Sequence, residues 1–230
     1  MVAAGSGRRA GRAVILVVVQ HAFGVPVPEN LTEMCAPGGS AVLVYDAQVG
    51  IFAHVRERET LTGRIGAVLT AARAAAVPVL YVRHVSLPPS HLGVAGLRTA
   101  MAWQRVPQAG DVVAPFPPAA PQTQLVAELT PVGAEPVFDK LAMSAFVGTP
   151  LEAVLRDRGV RTLVLVGAVL EIGIEPTARH AADLGFLPVV VQDACGVVDA
   201  EAAQRSVQAL DYTLSCYRGT AAQVVAAFGG

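Results

Sequence analysis

Lysine and asparagine are nearly missing from this chain. Of 17 basic residues in 230, one alone is lysine, Lys140, and one asparagine, Asn30, is present; average usage would supply roughly a dozen lysines. Charged residues make up 15% and aromatics 5%, with a formal net charge of −1. That balance excludes a strongly basic nucleic-acid module, and 53% hydrophobic content excludes a disordered tail. The three cysteines, Cys35, Cys195 and Cys216, lack any CxxC spacing. They exclude a disulfide-stapled miniprotein and read as reduced thiols of a cytoplasmic protein. Long apolar runs are missing too: none approaches the roughly 18 residues of a membrane span. Arg8, Arg9 and Arg12 precede the run Ala13 to Val19 in imitation of a signal peptide, yet the run is short and no A-x-A site follows.

The lysine deficit as a whole follows from GC-rich codons, which favour Ala, Gly and Arg over Lys, Asn and Ile. The survivor is a different matter. Arginine cannot release its proton and lysine can, so a site that needs a compact ammonium of tunable acidity rejects the exchange. Lys140 is therefore a candidate functional residue.

Length and apolar content fit one domain spanning 1–230, with residues 1–37 as an N-terminal extension packed on it. So few charges leave apolar surface that favours a homo-oligomer. Continuous β-branched runs at Ala41–Tyr45, Pro78–Val82, Thr162–Val166 and Pro188–Val191 alternate with helical patterns at 57–76, 149–158, 176–184 and 200–214. Strands without polar alternation are covered on both faces, so the alternation predicts an α/β fold with a doubly wound central parallel sheet flanked by helices. Pro150 and Pro176 suit first helical turns, and Gly159 and Gly185 suit helix ends. The Pro-rich stretch of about residues 86–136 holds the single tryptophan, Trp103, and is expected to cover the site or a subunit contact.

Ligands of such sheets sit beyond the carboxyl ends of the strands. That rule selects Asp46, Arg83, His84, the stretch 167–173 and Asp193. Desolvation at a strand end raises a carboxyl pKa, which would suit Asp46 to acid chemistry. The turn after Gly167 enters a helix whose free N–H groups are expected to hold an anion or oxyanion.

Four segments then combine: V-Y-D-A-Q-V-G-I-F at 44–52; K-L-A-M-S-A-F-V-G-T-P-L at 140–151; G-A-V-L-E-I-G-I-E-P-T-A at 167–178; and A-A-D-L-G-F followed by V-V-Q-D-A at 181–194. In that order they resemble the isochorismatase-like hydrolases, also called cysteine hydrolases, over about residues 38–215. The resemblance implies a three-layer Rossmann-like fold and a non-proline cis peptide near Ala168-Val169. It also implies a catalytic set of Asp, Lys and Cys, which falls on Asp46, Lys140 and Gly173, with Gln48, Phe52, His84, Val169 and Glu171 in substrate-binding positions. The nucleophile position is thus empty of a side chain, which removes the acyl-enzyme route. Glycine there resembles the isochorismatase branch, in which the Asp protonates an enol-ether carbon. Departures remain at Val169, Glu171 and His84, where that branch carries other polar groups, and a glutamate facing an anionic substrate is unfavourable.

Three readings follow: an acid-catalysed hydrolase of a small enol-ether-like or carboxylate metabolite, a catalytically silent ligand-binding or assembly member, and an amidohydrolase using another thiol. Arg83 and Arg98 are candidate carboxylate clamps. No metal and no cofactor are expected, because His84 lacks a closely spaced histidine partner. The expected partner is a small molecule, with no nucleic acid and no membrane.

Overall fold

The protein is described by a computed structural model over residues 20–229, so the arginine-led run at 8–19 lies outside the described residues. A hairpin of β1 (Gln20–Ala22) and β2 (Val25–Val27) leads to the short α1 (Leu31–Met34). Then follow β3 (Ser40–Tyr45), α2 (Val49–Phe52), α3 (Arg58–Ala74), β4 (Val79–His84), α4 (Val94–Gln104), β5 (Val137–Lys140), α5 (Leu151–Asp157), β6 (Thr162–Ala168), α6 (Glu175–Asp183), β7 (Leu187–Gly196), α7 (Ala200–Thr213), β8 (Tyr217–Gly219) and α8 (Ala221–Gly229).

Six strands form one parallel sheet in the order β5-β4-β3-β6-β7-β8. Its central strands β3 and β6 are buried at every residue, which is why their sequences show no polar alternation. Successive side chains feed opposite faces. Val42, Val44, Val164 and Val166 join α3 and α8 on one side, while Ala41, Leu43, Tyr45, Leu163 and Leu165 join α5, α6 and α7 on the other. The expected α/β architecture is thus observed. Within the extension assigned to residues 1–37, Met34 and Cys35 are buried in the first of these cores and Leu31 packs against it.

Helix ends follow from local chemistry. Asn30 caps α1 by accepting from the Glu33 N–H, Asp199 caps α7 by accepting from Ala202 N–H, and Gly159 and Gly185 follow α5 and α6 with φ of 67° and 84°. Pro150 stands at the N-cap of α5 rather than inside its first turn. The stretch 86–136 contains α4, which buries none of its residues. Its second half returns to the strand ends, where Val49 N–H donates to Gln124 and Val126 N–H to Ala47.

Candidate active site

The site is built where β3 stops. Asp46 has φ of 44°, a left-handed conformation that costs a non-glycine residue on the order of 1–3 kcal/mol and persists only where its surroundings enforce it. Its N–H donates to the Val82 carbonyl at 3.0 Å and its carbonyl accepts from Gln48 N–H at 2.7 Å. On the neighbouring strand Gly167 has φ of 121°, and a Cβ there would lie well under 3.0 Å from the Tyr45 backbone. Only glycine lets β6 approach β3 so closely.

Lys140 is the last residue of β5, in register with His84 on β4. Its Nζ lies 2.8 Å from Asp46 Oδ2 and 3.2 Å from the Ala142 carbonyl oxygen. The two residues are 3% and 5% exposed. Burial disfavours both charges: it pushes the Asp46 carboxyl up to about 6 against the opposing pull of Lys140, and it pushes the Lys140 ammonium below its usual range. Asp46 Oδ1 is buried without a hydrogen-bond partner. One carboxylate oxygen is thus anchored and the other is free to carry a proton.

After β6 the chain passes a cis peptide at Ala168-Val169, where the resemblance implied one, and enters a five-residue π turn, Leu170–Ile174. The N–H groups of Ile172, Gly173 and Ile174 converge on the Val169 carbonyl. This corrects the expectation of free donors at this turn: these three are bonded within it. Gly173 carries a second constraint. A Cβ on it would fall well under 3.0 Å from the phenol oxygen and ring of Tyr45, so Tyr45 occupies the space a side chain at 173 would need. The phenol donates to the Met143 carbonyl, and Lys140 Nζ lies 4.3 Å from its ring centroid. Burial, then the nearby Asp46 charge, pushes the Tyr45 hydroxyl well above its ordinary value, so it remains a neutral donor.

Asp46, Lys140 and Gly173 therefore meet around Tyr45. His84 stands beside them, half-buried, its ring edge-on to Phe116 at 5.6 Å. Burial and then Lys140 push its imidazole down to about 4, so it is neutral at physiological pH. Val169 contributes its carbonyl to the turn. The remaining assigned positions are engaged elsewhere. Gln48 is fully buried and clamps backbone, donating to the His84 and Thr123 carbonyls at 2.9 Å and accepting from His84 N–H at 2.7 Å. Phe52 is fully buried in the core on the α3 side. Glu171 turns toward the start of α7, its Oε1 accepting from Val198 and Asp199 N–H at 2.9 and 2.7 Å.

Arg83 holds Asp139 with two bonds of 2.5 and 3.1 Å. Asp193 accepts from Ala221 N–H at 2.7 Å and so ties down α8. Arg98 lies exposed on α4. Cys195 is buried with its thiol toward the Leu165 carbonyl, and burial pushes its pKa and those of Cys35 and Cys216 up, the latter two to about 11. Among the described residues no group of three or more His, Cys, Asp or Glu is arranged to hold a metal ion, and no helix is long and apolar enough to cross a membrane. A cleft of about 620 Å³ lies around β5, lined by Arg83, Asp139, Phe138 and Pro150 among others, and does not include Asp46.

Sequence reasoning missed Tyr45. The available signal was a bulky tyrosine in an otherwise aliphatic strand immediately before Asp46, read together with a glycine at 173.

A family model described as the isochorismatase domain matches residues 40–221. An isochorismatase family protein of Escherichia coli O157:H7 is 47% identical over 68 residues, which are 30% of this chain and 36% of that relative. The match thus spans little more than a third of that protein's length. Among solved structures, a cysteine hydrolase from Pseudomonas syringae pv. phaseolicola 1448A superposes with a TM-score of 0.70 at 25% identity, covering 84% of this chain and 93% of that one. An isochorismatase family protein from Burkholderia thailandensis gives a TM-score of 0.68 at 26% identity, covering 84% and 97%.

Proposed function

Since the chain belongs to the isochorismatase family, we propose that it is a hydrolase that works without a thiol nucleophile, with Asp46 as general acid and Lys140 as its partner. Its substrate is a small enol-ether-like or carboxylate metabolite. One observation carries this reading: a buried carboxyl raised to about 6, with one oxygen bonded to an ammonium and the other unpartnered. Such an acid can deliver a proton near neutral pH, where an ordinary aspartate cannot.

On a vinyl ether the step balances as follows. The proton on Asp46 passes to the terminal alkene carbon, and the ether oxygen stabilises the resulting oxocarbenium ion. Water adds to the ether-bearing carbon of that ion and returns a proton to Asp46. The hemiketal then collapses to a ketone and an alcohol, one water having been consumed. With Glu171 bonded to the start of α7, its charge no longer argues against an anionic substrate. The family's usual thiol route finds no support, since residue 173 is glycine and burial keeps the three cysteines protonated.

A second reading, a silent ligand-binding or assembly member, is favoured by the near-complete burial of Asp46 and Lys140. A homo-oligomeric state belongs to either reading, supported by exposed Val94 and Trp103 on α4; so does a cytoplasmic location. Incubation with isochorismate, followed for pyruvate, separates the readings. The hydrolase should release pyruvate, lose at least about 100-fold in rate on Asp46→Asn, and survive iodoacetamide. Inactivation by the alkylating agent would instead favour a thiol, and absence of release would remove this substrate.

A further inference from the structure

The Tyr45 phenol stands over Gly173 and beneath the Lys140 ammonium, whose ion-pair partner is the Asp46 carboxyl. It also helps to hold the segment that follows Lys140. The phenol bonds the Met143 carbonyl and Lys140 Nζ bonds the Ala142 carbonyl, so residues 142 and 143 are tied down by side chains of the site itself. From residue 144 onward the anchorage belongs to α6: Ser144 Oγ lies 2.9 Å from His180 Nδ1, and Ala145 N–H donates to Thr177 Oγ1 at 3.1 Å. The outer side of this strap is apolar and exposed at Leu141, Met143 and Val147.

We infer that Tyr45 is the specificity-determining residue of this site: its phenol is a plug in the ligand's place, displaced by a small carboxylate. The groups facing that place suit such a ligand. Lys140 from β5 supplies the cation and Tyr45 from β3 a neutral hydroxyl donor; Asp46, its pKa raised to about 6, adds a second donor below that pH, and His84 from β4 is uncharged near neutral pH. A ring-sized ligand competes for the volume the phenol fills, whereas a small carboxylate requires only that the hydroxyl exchange the Met143 carbonyl for a ligand oxygen. The inference rests on the Asp46–Lys140 pair being the working site, and it requires no turnover.

Acetate and benzoate test it as probes, titrated into the wild type, Tyr45→Phe and Tyr45→Val with the labelled Asp carboxyl signals followed by NMR. Tyr45→Val should bind benzoate at least about tenfold more tightly than the wild type, while Tyr45→Phe, which keeps the ring, excludes benzoate as the wild type does. If Tyr45→Val does not fold, Tyr45→Leu takes its place. Benzoate binding equally to wild type and the opened variant overturns the inference, and so does a failure of the opened variant to bind either probe. A wild type that does not bind acetate also overturns it, because a small carboxylate should displace the phenol. Failure to release pyruvate would leave these binding ratios intact, and equal binding would leave turnover intact, so the two readings fail separately.

Discussion

Asp139 and Lys140 are consecutive on β5, face opposite sides of the sheet edge, and each closes an ion pair. Arg83 and Asp139 lie 2.5 Å apart with side chains 21% and 42% exposed; Lys140 and Asp46 lie 2.8 Å apart with side chains 2% and 7% exposed. The two pairs have like charges and similar lengths, and they differ in access to water. Around the first pair water stabilises both ions, so the contact adds little beyond geometry. In the second, both partners are driven toward their neutral forms, and one carboxyl oxygen has nothing to bind. Burial, rather than the presence of an ion pair, is what prepares Asp46 for proton transfer.

The strongest way to break this comparison is to leave one buried partner alone. Lys140→Met should lower the unfolding free energy by roughly 3 kcal/mol or more, the usual result of stranding a buried charge. Asp46→Asn/Lys140→Met should recover most of that loss, because no uncompensated ion remains. Urea unfolding at neutral pH, with m-values unchanged across the series, measures both. A double variant as weak as Lys140→Met would assign the loss to packing beneath the strap instead of to charge.

A smaller effect lies in the pH dependence, where Asp46 and His84 oppose each other. The folded protein holds the Asp46 proton up to about 6 against an ordinary 3.8, so this group removes stability as pH rises through that window. His84 titrates at about 4 when folded against an ordinary 6.5, so the unfolded chain binds the proton more readily and stability increases as pH rises from 4 to 6.5. The wild type therefore shows little net slope from these two groups. Relative to it, His84→Gln should show a thermal midpoint that falls as pH rises from about 4 to 6, and Asp46→Asn one that rises. Two variants that both track the wild type would show that neither group titrates as its burial requires.

Much of the sheet was legible because β3, β4, β6 and β7 are buried on both faces and need continuous apolar runs. The edge strands β5 and β8 were not read, since four and three residues are too short to show a period. Asp46 and Lys140 could be read from their motifs, but a motif does not say where each side chain turns. Gln48 and Phe52 share a segment with Asp46, yet the α2 turn buries both, one as a backbone clamp and one as core. Tyr45 escaped because its meaning depends on Gly173, far along the chain, and a contact of that range leaves no local pattern. The donors of the π turn escaped for a related reason, since a helix start read from sequence does not reveal that three N–H groups close on one carbonyl.

The smallest effect sharpens the comparison from its exposed side. Arg83 also stands at a strand end and, as a candidate carboxylate clamp, was as eligible as Lys140. Its guanidinium already holds Asp139 with two bonds and Gln124 with a third of 3.2 Å, all in contact with solvent. Arg83→Gln should therefore change the unfolding free energy by less than about 1 kcal/mol, with hydrolysis rates within about threefold of the wild type. High salt should shrink even that stability difference, because exposed pairs are screened within about 10 Å at 0.1 M, whereas it should leave the Lys140→Met loss almost unchanged. Measuring both variants at low and high salt isolates the variable on which the two pairs differ: if salt weakens them alike, the Asp46–Lys140 pair is as wet as its neighbour, and the raised pKa of Asp46 loses its physical cause.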